Sequence, residues 1–393
     1  MRIVFYVIVA LVAAGATFAL TAAIHRLSLR YRLYPKLRER DVHTRPTPRL
    51  GGVAMFLGVA IALGVGALLP PLHLVYAEPG KVLAVLGAAT MIVLLGVADD
   101  LWDLDWMTKL AGQFLAAFLL AWQGVQIGVI PIPGGPQALI NPVLSLVITM
   151  FTVVLVMNAI NFIDGLDGLV AGVAIIANGV FFVYSYVISY GSAEQSDYFN
   201  LASLVTAVLI GACVGFLPFN WHPAKLFMGD AGSMLVGLLM ATSTLAVTGQ
   251  IDPGRITGQG IADPDQVIGA SGLVPAFIPI ILPIAVLVIP LLDFALAMIR
   301  RLRAGKSPFA ADRQHLHHRL LDMGHSHLRA VLLLYAWTAV ASVGCFLFLI
   351  VDWGWGLAFT LLGFVACTVA TLLPNGGRTE SADPLEPEPE TVP

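Results

Sequence analysis

Charge is the scarcest ingredient of this chain. Asp, Glu, Lys and Arg make up 11% of its 393 residues, whereas a soluble domain carries about a quarter. With 58% of positions apolar, that deficit excludes a charged shell facing water and places the protein in a bilayer. Cysteine is nearly absent as well. Cys213, Cys345 and Cys367 lie in apolar runs without C-x-x-C spacing, which excludes a disulfide framework and a thiolate zinc module. No internal repeat is visible, so the inverted-repeat signature of a secondary transporter is missing. No RNA- or DNA-binding motif accompanies the basic residues, which hug the apolar runs, and nucleic acid is excluded as a partner.

What is present is a succession of apolar runs. About eleven spans can be drawn, at 3–24, 51–70, 81–98, 110–130, 142–160, 170–190, 201–219, 232–249, 273–293, 329–350 and 355–373; each approaches the ~20 residues that cross a bilayer. Gly, Gln and Thr dilute 110–130 and 232–249 most. The first run ends in no A-x-A site, so it reads as a retained helix and not as a cleaved leader. The expected fold is an all-α polytopic membrane protein, with one catalytic domain over 1–373 and a disordered, acidic, Pro-rich tail over 374–393.

Lysine and arginine set the orientation. With the N-terminus outside, loops 25–50, 99–109, 161–169, 220–231 and 294–328, the tail, and Arg329 at the membrane edge hold 18 of the 21 basic residues. Arg2, Lys81 and Arg255 are left outside. That is the positive-inside pattern, and it puts the C-terminus in the cytoplasm. The dense polar stretches TRPTPRLGG, ADDLWDLD, NFIDGLDG, FNWHPAKLFMGDAGS and DRQHLHHRL then share the cytoplasmic face. A carrier or channel needs polar groups through the membrane depth; here they gather at one surface, as an active site would.

The stretch GVADDLWDLDWMTK ends its apolar run on Asp99 and Asp100 and adds Asp103 and Asp105. Asp164 and Asp167 follow in NFIDGLDG, and Asp230 in FMGDAGS. Asp105 reads as a solvated cap residue and Asp103 as ambiguous. So many carboxylates on one face repel one another unless a cation lies among them. Oxygen ligands near phosphate suit Mg²⁺, with Mn²⁺ the alternative. Gly165, Gly168, Gly229 and Gly232 beside these aspartates allow tight turns and close approach of phosphate to backbone amides. His315, His317 and His318, flanked by Arg313 and Arg319, have the chemistry to grip a diphosphate or move a proton. His325 and His327 read as solvated. Lys36, His43, Arg45 and Arg49 adjoin the constrained TRPTPRLGG turn and are candidates for phosphate contacts, whereas Arg26, Arg30 and Arg32 only set topology.

Taken in order, HTRPTPRLGG, GVADD, NAINFIDGLDGL, FMGDAGS and the histidine loop resemble the polyprenyl-phosphate N-acetylhexosamine-1-phosphate transferases over roughly residues 36–325. These membrane enzymes move a sugar 1-phosphate from a UDP-sugar onto a lipid phosphate. The resemblance implies that Asp99 and Asp100 are the paired aspartates that orient or deprotonate the lipid phosphate, and that Asp230 ligates magnesium, with Asp100 a second metal-ligand candidate. It also implies that Asn161, Asp164 and Asp167 lie around the nucleotide and diphosphate, that His315, His317 and His318 form the histidine motif, and that Lys109 lies near the lipid-phosphate path. DRQHLHHRL and an eleventh span resemble the branch that uses UDP-N-acetylglucosamine more than the one that uses UDP-MurNAc-pentapeptide. The sequence has the look of an actinobacterial protein, for which the resemblance implies a decaprenyl carrier, a cell-wall polysaccharide product such as the arabinogalactan linker, and the inner membrane as location. A homodimer is what the family suggests. A lipid or sugar transporter and a non-catalytic scaffold are the rival readings.

Overall fold

The structure is a computed structural model. It describes residues 2–31, 47–127, 129–130, 138–139, 141–191, 197–248, 282, 284–285, 287–303, 305 and 316–373. The chain is helical almost throughout these residues: α1 (Arg2–Tyr31), α2 (Gly51–Ala67), α3 (His73–Tyr76), α4 (Pro79–Trp102), α5 (Trp106–Trp122), α6 (Pro142–Ile163), α7 (Leu169–Gly191), α8 (Asp197–Asn220), α9 (Gly229–Thr248), α10 (Val288–Arg303), α11 (Leu316–Asp322), α12 (His327–Ile350) and α13 (Trp353–Leu372). The one exception to the all-α expectation is a two-residue antiparallel pairing, β1 (Val129–Ile130) with β2 (Ala138–Leu139), on either side of the PIPGGP stretch.

Local signals mark the helix starts. Pro79 and Pro142 occupy first-turn positions where a missing N–H costs nothing. Asn141, Asp105 and Ser326 accept hydrogen bonds from the amides that α6, α5 and α12 leave unpaired.

Among the described residues seven helices are long and apolar enough to cross a membrane, namely α1, α4, α6, α7, α8, α12 and α13. The expected spans 3–24, 81–98, 142–160, 170–190, 201–219, 329–350 and 355–373 each fall in one of them, and the chain is a multi-pass membrane protein. The expected span 51–70 stops at Ala67, and α2 with Pro70–Tyr76 makes a pair bent by 96° that counts as an eighth crossing if taken as one. The span expected at 110–130 is the shorter α5, which ends at Trp122. Most of 273–293, and the tail from 374, lie outside the described residues, so eleven spans are not all accounted for.

The centre of the bundle is α9, which packs against α2, α4, α6 and α8. Every residue from Ala231 to Ala246 is buried. Its hydroxyls cause no penalty there, because Thr242, Ser243 and Thr244 donate to the carbonyls of Leu238, Met240 and Ala241 at 2.7, 2.9 and 2.9 Å. Small residues bring the neighbours close. A Cβ on Gly52 of α2 would strike the backbone of Ala231 and Gly232, and one on Gly96 of α4 would strike that of Asp230 and Ala231. The ends of α4, α6 and α8 and the starts of α5, α7, α9 and α12 therefore converge on one face of the bundle, where Trp102 and Trp106 are exposed as interfacial aromatics.

Candidate active site

The last turn of α4 carries Asp99 and Asp100. The helix stops at Trp102, because Asp103 takes a left-handed conformation at φ 52°. The Leu104 amide donates to Asp99 Oδ1 at 2.9 Å, tying the turn back to the helix it leaves. Asp105 then caps α5 by accepting from the Met107 and Thr108 amides, each at 3.0 Å. This reversal brings Lys109, in the first turn of α5, over the carboxylates. Its Nζ lies 2.5 Å from Asp99 Oδ2 and 3.3 Å from Asp230 Oδ2.

Asp230 stands in the first turn of α9, where the helix dipole favours a negative charge. Asn161, in the last turn of α6, donates through Nδ2 to Asp230 Oδ1 at 3.3 Å and to Ser233 Oγ at 2.8 Å. The Asp230 amide donates to Asp100 Oδ1 at 3.4 Å. The approach to α9 is held by residues 48–52, with Phe227 N–H to the Pro48 carbonyl at 2.9 Å, Gly51 N–H to the Phe227 carbonyl at 3.0 Å and Gly52 N–H to the Met228 carbonyl at 2.9 Å. Gly229 closes this junction. Its φ is +66°, and a Cβ would meet both the Asp100 carboxylate and the Arg49 carbonyl, so any other residue is excluded twice.

Among the described residues the centre is short of positive charge. Asp99, Asp100, Asp164 and Asp230 act on one another against the cations of Lys109 and Arg49. Asp164, just past α6, shows the effect: burial and then the charges of Asp230 and Asp100 push its carboxyl up to about 8, with Arg49 pulling the other way. Asp105 is the counter-example. It is exposed, and the Thr108 hydroxyl and amide hold it below the usual carboxylate range. Among the described residues Asp100 Oδ2 is buried without a hydrogen-bond partner. A buried carboxylate oxygen of this kind, in an oxygen-only donor set with net negative charge, fits a hard divalent cation.

A separate polar cluster forms next to this centre. Asp167, expected beside Asp164 in the nucleotide set, has its Oδ2 engaged by His222 Nδ1 at 2.7 Å and the Ala224 amide at 3.0 Å, and its own amide donates to His327 at 3.0 Å. His327 is thus not the solvated residue expected. Nor is His325, which is 4% exposed with Nε2 2.8 Å from the Thr371 carbonyl at the end of α13. His222 went unnoticed in the sequence, since a lone histidine in FNWHPAK carries no pattern that points 55 residues back to Asp167.

The structure therefore brings Asp99, Asp100, Lys109, Asn161, Asp164, Asp230 and Arg49 together. Lys36, Arg313 and His315 lie outside the described residues. His317 and His318 fall on α11, but their side chains also lie outside. The anchor of α11 is described: Leu316, its first residue, donates its amide to the fully buried Asp293 of α10 at 2.8 Å.

With this geometry in place, the relatives can be compared. The profile of glycosyl transferase family 4 matches residues 82–248, from α4 to α9. The chain is similar to the decaprenyl-phosphate N-acetylglucosaminephosphotransferase of Mycolicibacterium smegmatis, at 39% identity over 93% of this chain and 88% of the relative. It is also similar to the probable undecaprenyl-phosphate N-acetylglucosaminyl 1-phosphate transferase of Bacillus subtilis, at 28% identity over 85% and 82%. The undecaprenyl-phosphate alpha-N-acetylglucosaminyl 1-phosphate transferase of Yersinia pestis matches at 28% identity over 81% and 78%.

Proposed function

The chain belongs to glycosyl transferase family 4, and from that premise we propose that it transfers N-acetylglucosamine 1-phosphate from UDP-N-acetylglucosamine to a polyprenyl phosphate, releasing UMP. The observation that carries this reading is the convergence of Asp99, Asp100, Lys109, Asn161 and Asp230 at one end of the bundle. There a membrane-held lipid phosphate and a soluble nucleotide can meet. The N-acetylglucosamine in the relatives' names supports the donor over UDP-MurNAc-pentapeptide, and the mycobacterial relatives support a decaprenyl acceptor. The basic loops support the inner membrane with this face in the cytoplasm.

In the reaction a lipid phosphate oxygen forms a bond to the β-phosphorus of the donor, and the bond from that phosphorus to the UMP oxygen breaks. The acceptor monoester, with a second pKa near 6, is already largely dianionic at pH 7. Asp99 and Asp100 then serve mainly to orient it, and Lys109 holds Asp99 in place while offering its charge to the phosphates. Asn161 fixes the rotamer of Asp230 from one side, and the Asp230 amide at the start of α9 holds the Asp100 carboxylate beside it. Asp230 and Asp100 would hold Mg²⁺, or Mn²⁺ in its place, which when bound supplies positive charge to the diphosphate and the departing UMP. A direct attack accounts for this layout without an aspartyl intermediate.

The test incubates purified protein with polyprenyl phosphate, Mg²⁺ and radiolabelled UDP-N-acetylglucosamine or UDP-MurNAc-pentapeptide, following label into lipid and UMP into solution. Label in lipid with UMP from the first donor is expected. Transfer from neither donor sinks the enzyme reading and leaves the transporter or scaffold, and transfer from the second alone sinks the choice of sugar.

A further inference from the structure

The apolar run AVLVIPLLDFALAMI is interrupted by one carboxyl, Asp293 of α10. It is fully buried and lines a small cavity with Ile163 of α6, Leu169 of α7, Ile289 of α10 and Leu334 of α12. In these apolar surroundings Asp293 Oδ1 accepts the Leu316 amide at 2.8 Å. Leu316 opens α11, and the next two residues of that helix are His317 and His318.

Capping a seven-residue helix does not by itself call for such a carboxyl. A Ser, Thr, Asn or Asp just before the helix accepts a first-turn amide without being buried. Asp293 comes instead from 23 residues upstream and gives up its water to make the bond. What a buried polar group returns for that cost is the choice of one arrangement over its rivals.

The helix that carries it is fixed to the carboxylate centre. Phe294, the next residue, stacks on Phe162 of α6 with centroids 5.4 Å apart and planes at 14°. The buried Arg301, two turns further along α10, sets its guanidinium 5.4 Å from the centre of the same ring. Phe162 follows Asn161, which donates to Asp230. Two successive residues of α10 thus face two partners, Phe294 the end of α6 and Asp293 the start of α11. The far end of α11 is tied separately, through the His325 amide on the Leu320 carbonyl at 3.1 Å.

We propose that Asp293 is a positioning residue for the transfer. Its carboxyl fixes the start of α11 on α10, and so sets where the histidine motif stands relative to Asn161 and Asp230. This role rests on the reaction proposed above.

Full-length protein in detergent gives two readouts. Hydrogen exchange followed by mass spectrometry reads the amides at the start of α11. They should exchange at least about tenfold faster in Asp293→Ala than in wild type, and at close to the wild-type rate in Asp293→Asn, whose side-chain oxygen still accepts. Transfer should follow the same order. Asp293→Ala should lower kcat by about tenfold or more at saturating substrates, and Asp293→Asn should keep it within about threefold. Added to His317→Ala or His318→Ala, Asp293→Ala should cost less than it costs alone. Unchanged exchange in Asp293→Ala, or full additivity with both histidine changes, overturns the proposal. Should Asp293→Ala fail to fold, Leu316→Pro removes the amide donor at a position where helices accept proline; the same loss of kcat is expected, and a wild-type rate overturns the role. Exchange is read whether or not the protein transfers, so a wild type without activity sinks the proposed reaction while the anchor is still judged on its own.

Discussion

Helices α9 and α13 each run for 20 residues, and their surroundings are opposite. On α9 everything from Ala231 to Ala246 is buried; on α13 only Gly356 and Cys367 are, and Trp355, Phe359 and Leu362 stand 65%, 56% and 66% exposed. The more uniformly apolar of the two is α13, so hydropathy alone ranks them in the wrong order for burial. In lipid, apolarity does not sort inside from outside, because the solvent is itself apolar. Small residues do the sorting on α9, where Gly232 and Gly237 let Gly52 and Met157 approach its backbone. Among the described residues the helix that carries Asp230 is fixed by five neighbouring helices, while α13 is held by α12 and a clamp from His325 and Arg329 on its last carbonyls.

Substitutions can break or sharpen this contrast. Asp230→Asn, at the root of α9, should lower transfer by about 100-fold or more, the scale of losing one group that stabilises charge in a transition state; Asp105→Asn, a surface cap, should stay within a few-fold, and equal losses in the two would remove Asp230 from the centre. Lys109→Gln should cost about tenfold or more and lower the Mg²⁺ concentration needed for half-maximal rate, since the carboxylates lose a cation that competes with the metal for them; an unchanged Mg²⁺ requirement counts against that role. Gly96→Val pushes a branched side chain into the backbone of Asp230 and Ala231, and should cost about 1–3 kcal/mol or more, read as a lower melting temperature in detergent together with lost activity. Thr242→Val, which removes a hydroxyl bonded to its own helix, should change stability by about 1 kcal/mol or less. Phe359→Ala on α13 should leave the rate within about twofold; a large loss would mean that the outer helix shapes the centre after all.

The same contrast explains what the sequence disclosed. Asp99, Asp100 and Asp230 were legible because each interrupts or borders an apolar run, where a carboxylate needs a reason. Their company was legible only through the resemblance: nothing in the spacing of Lys109 says that α5 reverses over α4, which follows from the left-handed Asp103 and the Asp105 cap. The resemblance groups Asp167 with Asn161 and Asp164 around the nucleotide; its contacts to His222 and His327, beside the turn at Gly168, φ +77°, are what the sequence does not show. A histidine partnership across 55 and 160 residues leaves no local pattern. Seven of the eleven spans were legible by length; α2 bends and α5 ends early at Trp122, and neither feature has a signature in hydropathy.

The seclusion of α9 has a mechanical consequence. When a bilayer thickens or thins, helices that touch lipid tilt to match it, and here those are the outer members such as α1 and α13. A post with no lipid contact along Ala231–Ala246 does not take part in that adjustment. The carboxylates at its foot keep their spacing while the rim of the bundle leans, so turnover should hold steady across lipids of different chain length.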